Sequence, residues 1–201
     1  ACTQNLVEHL GVDVREAERL IASSVPLARM AARANAQAVD EVCVAGSIGC
    51  FGACLADGSE YTGAYGATAS EDELMRWHED RLRILLDAGA DVIALETIPC
   101  RVEVRALCRL LRSYPNARAW LSMACRDETT LNSGESLAEA VRDIEELDPD
   151  GRVCAIGVNC VSPWHVSGLV DTIVRETARP VLVYPNAGER WDSASGTWDQ
   201  A

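Results

Sequence analysis

The chain has 201 residues, of which 48% are hydrophobic and 24% charged, and its formal net charge at neutral pH is -13. This acidity argues against a nucleic-acid-binding surface, because such surfaces need clustered positive charge. No apolar run reaches the roughly 18 residues that a membrane-spanning helix needs, and the first residues lack the pattern of a secretory signal peptide. We therefore expect a globular protein of the cytoplasm, with residues 1–201 forming a single domain.

All 18 basic residues are arginines. Without lysine, the chain has neither a Schiff-base lysine nor a phosphate-loop lysine. The nine cysteines follow no disulfide spacing typical of small secreted domains, so we expect reduced thiols.

The predicted elements alternate along the chain. An alanine-rich helix over 14–38 comes first, and Pro26 is expected to kink or break it. Five short, continuously apolar runs then predict strands that are buried on both faces, as in parallel sheets. These runs cover 41–47, 91–96, 119–124, 153–158 and 180–184.

Helical patterns lie between these strands. Ser70 and Glu73 form a capping box before an apolar stripe that ends at Gly89. Further helices are predicted over 101–111, 135–147 and 164–176. A strand–helix alternation of this kind predicts a parallel α/β fold, either a doubly wound sheet or a (β/α) barrel.

The connection over 48–69 is unusually long and holds five glycines and three aromatic residues, namely Phe51, Tyr61 and Tyr65. Connections of this length are commonly functional or disordered. The aromatic content favours an ordered wall or lid over a pocket, and the alternative is a mobile surface loop.

In parallel α/β folds, ligands bind at the carboxyl ends of the strands. The predicted strands end on polar or reactive residues, so these side chains are expected to converge. They are Ser47, Glu96, Thr97, Cys125, Asn159, Cys160, Tyr184 and Asn186.

Glu96 and Cys160 carry the chemistry in this group. A carboxylate after the buried run before Glu96 suits a substrate ammonium group, and the alternative is a structural bond to a loop amide. Cys160 fits a zinc ligand, a nucleophile paired with His165, or a packed thiol. The other two histidines, His9 and His78, are predicted to face solvent.

Four segments in this order closely resemble the homocysteine S-methyltransferases: AGSIGCFGACLADGSEYTGAYG, DAGADVIALETIP, AIGVNC and VYPNAGE. The resemblance is strongest to the branch that uses S-methylmethionine or S-adenosylmethionine. It implies a (β/α)8 TIM barrel and methyl transfer from a sulfonium donor to the zinc-activated thiol of homocysteine, giving methionine.

The resemblance also assigns residues. Cys160 matches a zinc-binding cysteine, and Glu96 matches the carboxylate that holds the amino acid substrate. Thr97, Asn159, Tyr184 and Asn186 match the substrate pocket. Phe51, Tyr61 and Tyr65 are candidate walls for the donor, or alternatively pack inside their loop.

The chain departs from the family at its ends. The Gly-Gly-Cys-Cys motif that supplies two zinc ligands is absent, and so is the first strand with its Asp-Gly-Gly motif. The resemblance therefore implies an interior fragment that carries about strands three to seven and is inactive alone. Replacement of the missing ligands by Cys125 or by Cys50 and Cys54 is an alternative.

Two other functions remain open from the sequence. One is a metal-free barrel hydrolase or acyltransferase that uses Cys160 and His165. The other is a non-catalytic remnant that binds an amino acid or a partner.

Overall fold

The computed structural model describes residues 2–35, 42–188, 190–192 and 197–199. Its α-helices are α1 (Thr3–Leu10), α2 (Val14–Asn35), α3 (Gly52–Leu55), α4 (Glu71–Asp87), α5 (Arg101–Leu111), α6 (Leu137–Leu147) and α7 (Val166–Glu176). Its strands are β1 (Ala45–Gly49), β2 (Val92–Ile98), β3 (Ala119–Met123), β4 (Val153–Asn159), β5 (Val181–Tyr184), β6 (Arg190–Asp192) and β7 (Thr197–Asp199). Short 3₁₀ helices cover Ala64–Ala67 and Pro163–His165.

Strands β1 to β5 form one parallel sheet in the order in which they occur along the chain. A doubly wound sheet reverses its strand order at a switch point, whereas a barrel adds each strand beside the preceding one. The sequential order therefore identifies an incomplete (β/α) barrel, as predicted. β6 and β7 pair separately as an antiparallel hairpin.

The apolar strands lie in the core because helices cover one face of the sheet. Ile93, Leu95, Leu121 and Ile156 are fully buried in one continuous hydrophobic cluster. Apolar residues of α5, α6 and α7 belong to the same cluster, because each helix presents an apolar stripe at helical spacing. Because the five strands are parallel, their carboxyl ends lie along one rim of this packed sheet.

The predicted helix signals agree with the structure. Ser70 caps α4 through the amide of Glu73, whose side chain bonds back to the Ser70 amide. Helix α5 has the predicted bounds, and α6 and α7 each begin two residues after the predicted start.

Two predictions for the amino-terminal region need correction. Pro26 does not break α2, which continues through it to Asn35. The first strand begins at residue 45 rather than 41, because its pairing with β2 starts where Ala45 lies opposite Val92. Residues 36–41, which include the ends of the predicted helix and strand, lie outside the described residues.

The connection after β1 is ordered by α3, the Ala64–Ala67 turn and an aromatic contact. The rings of Phe51 and Tyr65 lie 5.5 Å apart, edge to face, and Tyr65 is buried. This agrees with the expected ordered segment. Among the described residues, no helix is long and apolar enough to cross a membrane.

Candidate functional site

Glu96 lies in β2 near its carboxyl end, half-buried between two hydroxyl groups. The Ser47 hydroxyl of β1 donates a hydrogen bond to one carboxylate oxygen. The Tyr184 hydroxyl of β5 donates to the other over 2.9 Å. The carboxylate is thus held by side chains from two other strands.

Asn159 at the end of β4 is 1% exposed and uses both ends of its amide. Its Oδ1 accepts from the Thr97 backbone N–H at 2.8 Å and from Ser122 Oγ at 2.8 Å. Its Nδ2 donates to Thr97 Oγ1 at 2.7 Å and to Cys160 Sγ at 3.3 Å. Because a backbone N–H only donates, the bond from Thr97 fixes which end of the amide is the oxygen.

Thr97 and Cys160 both adopt left-handed backbone conformations, with φ of +63° and +52°. Such angles are uncommon outside glycine, and for a β-branched residue such as threonine they mark strain. The two hydrogen bonds between Thr97 and Asn159, one donated by each residue, offset this strain. They also bring the Thr97 hydroxyl within 3.9 Å of Cys160 Sγ.

Ser122 and Trp120 of β3 complete the hydrogen-bonded group, and the sequence analysis did not identify them. Ser122 Oγ lies 2.6 Å from the Tyr184 hydroxyl, and Trp120 Nε1 donates to the same hydroxyl over 3.0 Å. Burial, together with the Glu96 carboxylate, raises the pKa of Tyr184 to about 12. The phenol is therefore neutral at physiological pH and available as a donor.

The other predicted residues make no hydrogen bond to Glu96, Asn159 or Cys160 among the residues that the structure describes. Asn186 is exposed, and its backbone N–H donates to the Val161 carbonyl. His165 ends the 3₁₀ helix just before α7 and makes no hydrogen bond with Cys160 within the described part of the chain. Tyr61 is 74% exposed.

A second buried polar cluster contradicts the prediction for His78, which is 0% exposed. Its Nε2 lies 2.7 Å from the buried carboxylate of Glu103, and its Nδ1 lies 2.9 Å from an Arg81 nitrogen. Since a guanidinium only donates, Nδ1 of His78 accepts a hydrogen bond and carries no proton. The ring is therefore neutral, with its proton on Nε2. Glu103 also accepts from the Tyr65 hydroxyl and the Phe51 backbone N–H, so the cluster anchors the connection after β1.

Comparison with known proteins decides the family. The model of the homocysteine S-methyltransferase family matches residues 2–201. The chain belongs to this family.

Named relatives agree with the match. The homocysteine S-methyltransferase YbgG of Bacillus subtilis is 39% identical over 198 residues, which are 95% of this chain and 61% of that protein. The betaine-homocysteine S-methyltransferase of Drosophila melanogaster is 38% identical over 212 residues, covering 97% of this chain and 63% of that protein. The metallated form of the homocysteine methyltransferase MmuM from Escherichia coli superposes with a TM-score of 0.82 at 39% identity, covering 90% of this chain and 62% of that one.

The chain thus spans about six tenths of the length of these homocysteine S-methyltransferases. One of the solved relatives is described as metallated, which raises the question of metal ligands here. Within the described residues, no group of three or more His, Cys, Asp or Glu side chains is placed to hold a metal ion. The site therefore offers a single exposed thiol, Cys160, and does not form a complete zinc site by itself.

The alternative thiols are not placed beside Cys160. Cys125 and Cys50 are buried, and neither contacts Cys160 in the part of the chain that the structure describes. Cys54 lies 3.7 Å from Cys2, sulfur to sulfur, rather than beside Cys160. The structure thus gives no support to the idea that these cysteines replace missing ligands.

Proposed function

We propose that this chain is the substrate-binding part of a methyltransferase that transfers a methyl group to the thiol of homocysteine, giving methionine. The observation that carries the proposal is the placement of an acidic group, Glu96, and an exposed thiol, Cys160, on one rim. One hydrogen-bonded group of side chains from neighbouring strands holds both. In this proposal residues 1–201 form one partial homocysteine-binding barrel domain.

Homocysteine carries an ammonium group at one end and a thiol at the other. Glu96 binds the ammonium group, because its carboxylate is half-buried and oriented by Ser47 and Tyr184. Thr97 and Asn159 orient Cys160 beside the substrate sulfur. Asn186, an exposed residue just after β5, is proposed to contact the same substrate.

Cys160 is proposed as one ligand of a catalytic zinc, with two further cysteine ligands supplied from outside this chain. Zinc, when bound, would keep the homocysteine sulfur deprotonated near neutral pH. The Asn159 amide and the Thr97 hydroxyl both face Cys160 Sγ as donors, as is usual around a metal-bound thiolate. These bonds position the cysteine for its role.

In the transfer step, the homocysteine sulfur forms a bond to the methyl carbon of the donor. The donor's carbon–sulfur bond breaks, and its electron pair stays on the donor sulfur, which becomes a neutral thioether. The proton of the homocysteine thiol has left for solvent beforehand. We propose a sulfonium donor, S-methylmethionine or S-adenosylmethionine, for which Tyr61 is an exposed aromatic candidate wall.

The test of the proposal is Cys160→Ser in the full-length protein, assayed for bound zinc by mass spectrometry and for methionine formation. We expect both zinc and turnover to be lost. Cys154→Ser is the matched control, because Cys154 is an exposed thiol of β4, the strand that Cys160 follows, and its Sγ donates to the Ala119 carbonyl instead. Full activity in the Cys160 variant would contradict the assignment.

The donor is tested separately, by offering S-methylmethionine, S-adenosylmethionine and betaine to the same protein. Betaine belongs in the comparison because one relative is a betaine-homocysteine S-methyltransferase. Turnover with betaine alone would overturn the sulfonium donor and leave homocysteine as the acceptor. Release of products from esters or amides without zinc would instead favour the metal-free hydrolase.

A further inference from the structure

Ser122 lies between the two halves of the candidate site. It is 0% exposed, and its hydroxyl contacts Asn159 Oδ1 at 2.8 Å on one side and the Tyr184 hydroxyl at 2.6 Å on the other. Asn159 bonds to Cys160, and Tyr184 bonds to Glu96. One buried hydroxyl therefore links the group that reaches the thiol with the group that reaches the carboxylate.

Trp120 limits how this link can rearrange. Its indole N–H can only donate, and it occupies an acceptor position of the Tyr184 hydroxyl at 3.0 Å. The phenol donates its single proton to Glu96, so the proton between Ser122 and the phenol oxygen comes from the Ser122 hydroxyl, which can also turn it towards Asn159 Oδ1. With the indole on one side and Ser122 on the other, the phenol oxygen has little freedom to move along the rim.

We propose that Ser122 and Trp120 are positioning residues that fix the separation between the Glu96 carboxylate and the Cys160 sulfur. The inference rests on the proposed function, because the two ends of homocysteine would be bound at these two groups. Homocysteine places three carbon atoms between nitrogen and sulfur, and cysteine places two. A fixed separation of the two binding groups selects an amino thiol by its length.

The same contacts explain why the effect belongs to positioning rather than to chemistry. Ser122 is fully buried beneath Asn159 and Tyr184, so it does not meet the substrate. Removing its hydroxyl takes away neither the bond from Ser47 to Glu96 nor the contact of Thr97 with Cys160. What is lost is the connection that keeps the two groups at one distance.

The experiment compares Ser122→Ala and Trp120→Phe with the unmodified full-length protein, using homocysteine and cysteine as acceptors. We expect kcat/KM for homocysteine to fall by about tenfold, an ordinary loss for one buried hydrogen bond. The value for cysteine should fall less, so that the preference for homocysteine shrinks. Ser122→Thr, which keeps a hydroxyl group, should restore most of the preference.

Ser167→Ala is the matched control, because Ser167 is an exposed serine of α7. An unchanged preference for homocysteine in both Ser122→Ala and Trp120→Phe overturns the inference. So does equal loss in the alanine and threonine variants, which would mean that packing rather than the hydroxyl matters.

A second measurement does not depend on turnover and uses the same full-length protein. Cys160, Cys43 and Cys154 are all exposed thiols, so their alkylation by iodoacetamide can be followed together by peptide mass spectrometry. Ser122→Ala should change the rate at Cys160 several-fold, because Asn159 loses a bond that orients it, and leave the other two rates unchanged. If the unmodified protein does not methylate homocysteine, the proposed function fails, and an unaltered Cys160 rate would then refute the positioning role independently.

Discussion

His78 shows how strongly one buried side chain can depend on its surroundings. Its ring lies among Glu103, Arg81 and Trp77, with no exposed surface. Burial lowers the pKa of His78 below its ordinary value of 6.5. The folded protein therefore keeps this ring neutral at a pH at which the unfolded chain takes up a proton.

The first prediction concerns acid stability. Below about pH 6.5 the unfolded state binds one more proton at His78 than the folded state, so stability falls as pH falls, by at most about 1.4 kcal/mol per pH unit. Urea unfolding at pH 7.5 and 5.5 should show a loss of about 1 kcal/mol from this residue. His78→Gln should reduce the pH dependence, whereas His9→Gln, at an exposed histidine, should not. Equal pH dependence in the His78 variant and the unmodified chain would refute this account.

The burial of His78 could have been predicted from its spacing along α4, although histidine is a polar residue. Leu74, His78, Arg81, Leu82 and Leu85 follow the spacing of one helix face, and all five are buried. The polarity of His78 led us to expect that it faces solvent, but its position on the buried face of α4 places it in the interior. For the site, the prediction that residues at strand ends lie on one rim holds for Glu96, Asn159 and Cys160.

Ser122 and Trp120 were not predicted, because nothing local distinguishes them. Their bonds reach Tyr184, more than 60 positions away. Within β3 they read as ordinary strand residues, and only the register of three paired strands shows what they contact. Hydrogen bonds between distant strands do not leave a pattern in a single sequence.

At the level of elements, the connection after β1 is held in place by α4 and α5. Tyr65 donates to Glu103 of α5, and the ring of Phe51 packs at 5.0 Å against Trp77 of α4. The sequence predicted an ordered segment from its aromatic content. It did not reveal the anchor, because Glu103 reads as a first-turn acidic residue of a helix.

The second prediction tests this anchor. Tyr65→Phe removes the hydroxyl that reaches Glu103 and should destabilise the fold by about 2 kcal/mol, since hydrogen bonds to buried charged groups contribute that much. Chymotrypsin should then cleave faster at the exposed Tyr61 of the same connection. Tyr114→Phe, outside the connection, is the control. Unchanged cleavage at Tyr61 would mean that the anchor does not govern the segment.

On the scale of the whole molecule, the sheet has two outer strands. In the portion that the structure describes, β1 pairs only with β2, and β5 pairs only with β4. Unpaired strand edges promote association with other chains. The strand–helix alternation predicted a parallel sheet but left a doubly wound sheet and a barrel open, and the family resemblance implied the barrel. How the sheet edges are covered is a property that no local pattern encodes.

The third prediction follows from these edges. The isolated chain, of 21.7 kDa, should form oligomers or aggregates whose size grows with concentration, as measured by size-exclusion chromatography with light scattering. Ala45→Lys places a charge on the exposed side of edge strand β1 and should shift the population towards monomer. Ala67→Lys adds the same charge away from the edge and should have little effect. A concentration-independent monomer of the unmodified chain would contradict the expectation.

The strand-end contacts have a consequence for how such a protein can evolve. Each of the five parallel strands contributes a side chain to the same rim: Ser47, Glu96, Ser122, Asn159 and Tyr184. A crossover that exchanged any one of these strands with that of a distant homologue would sever a hydrogen bond to another strand of the rim. Gene recombination should therefore preserve this stretch as a block, while the loops at the opposite ends of the strands diverge freely.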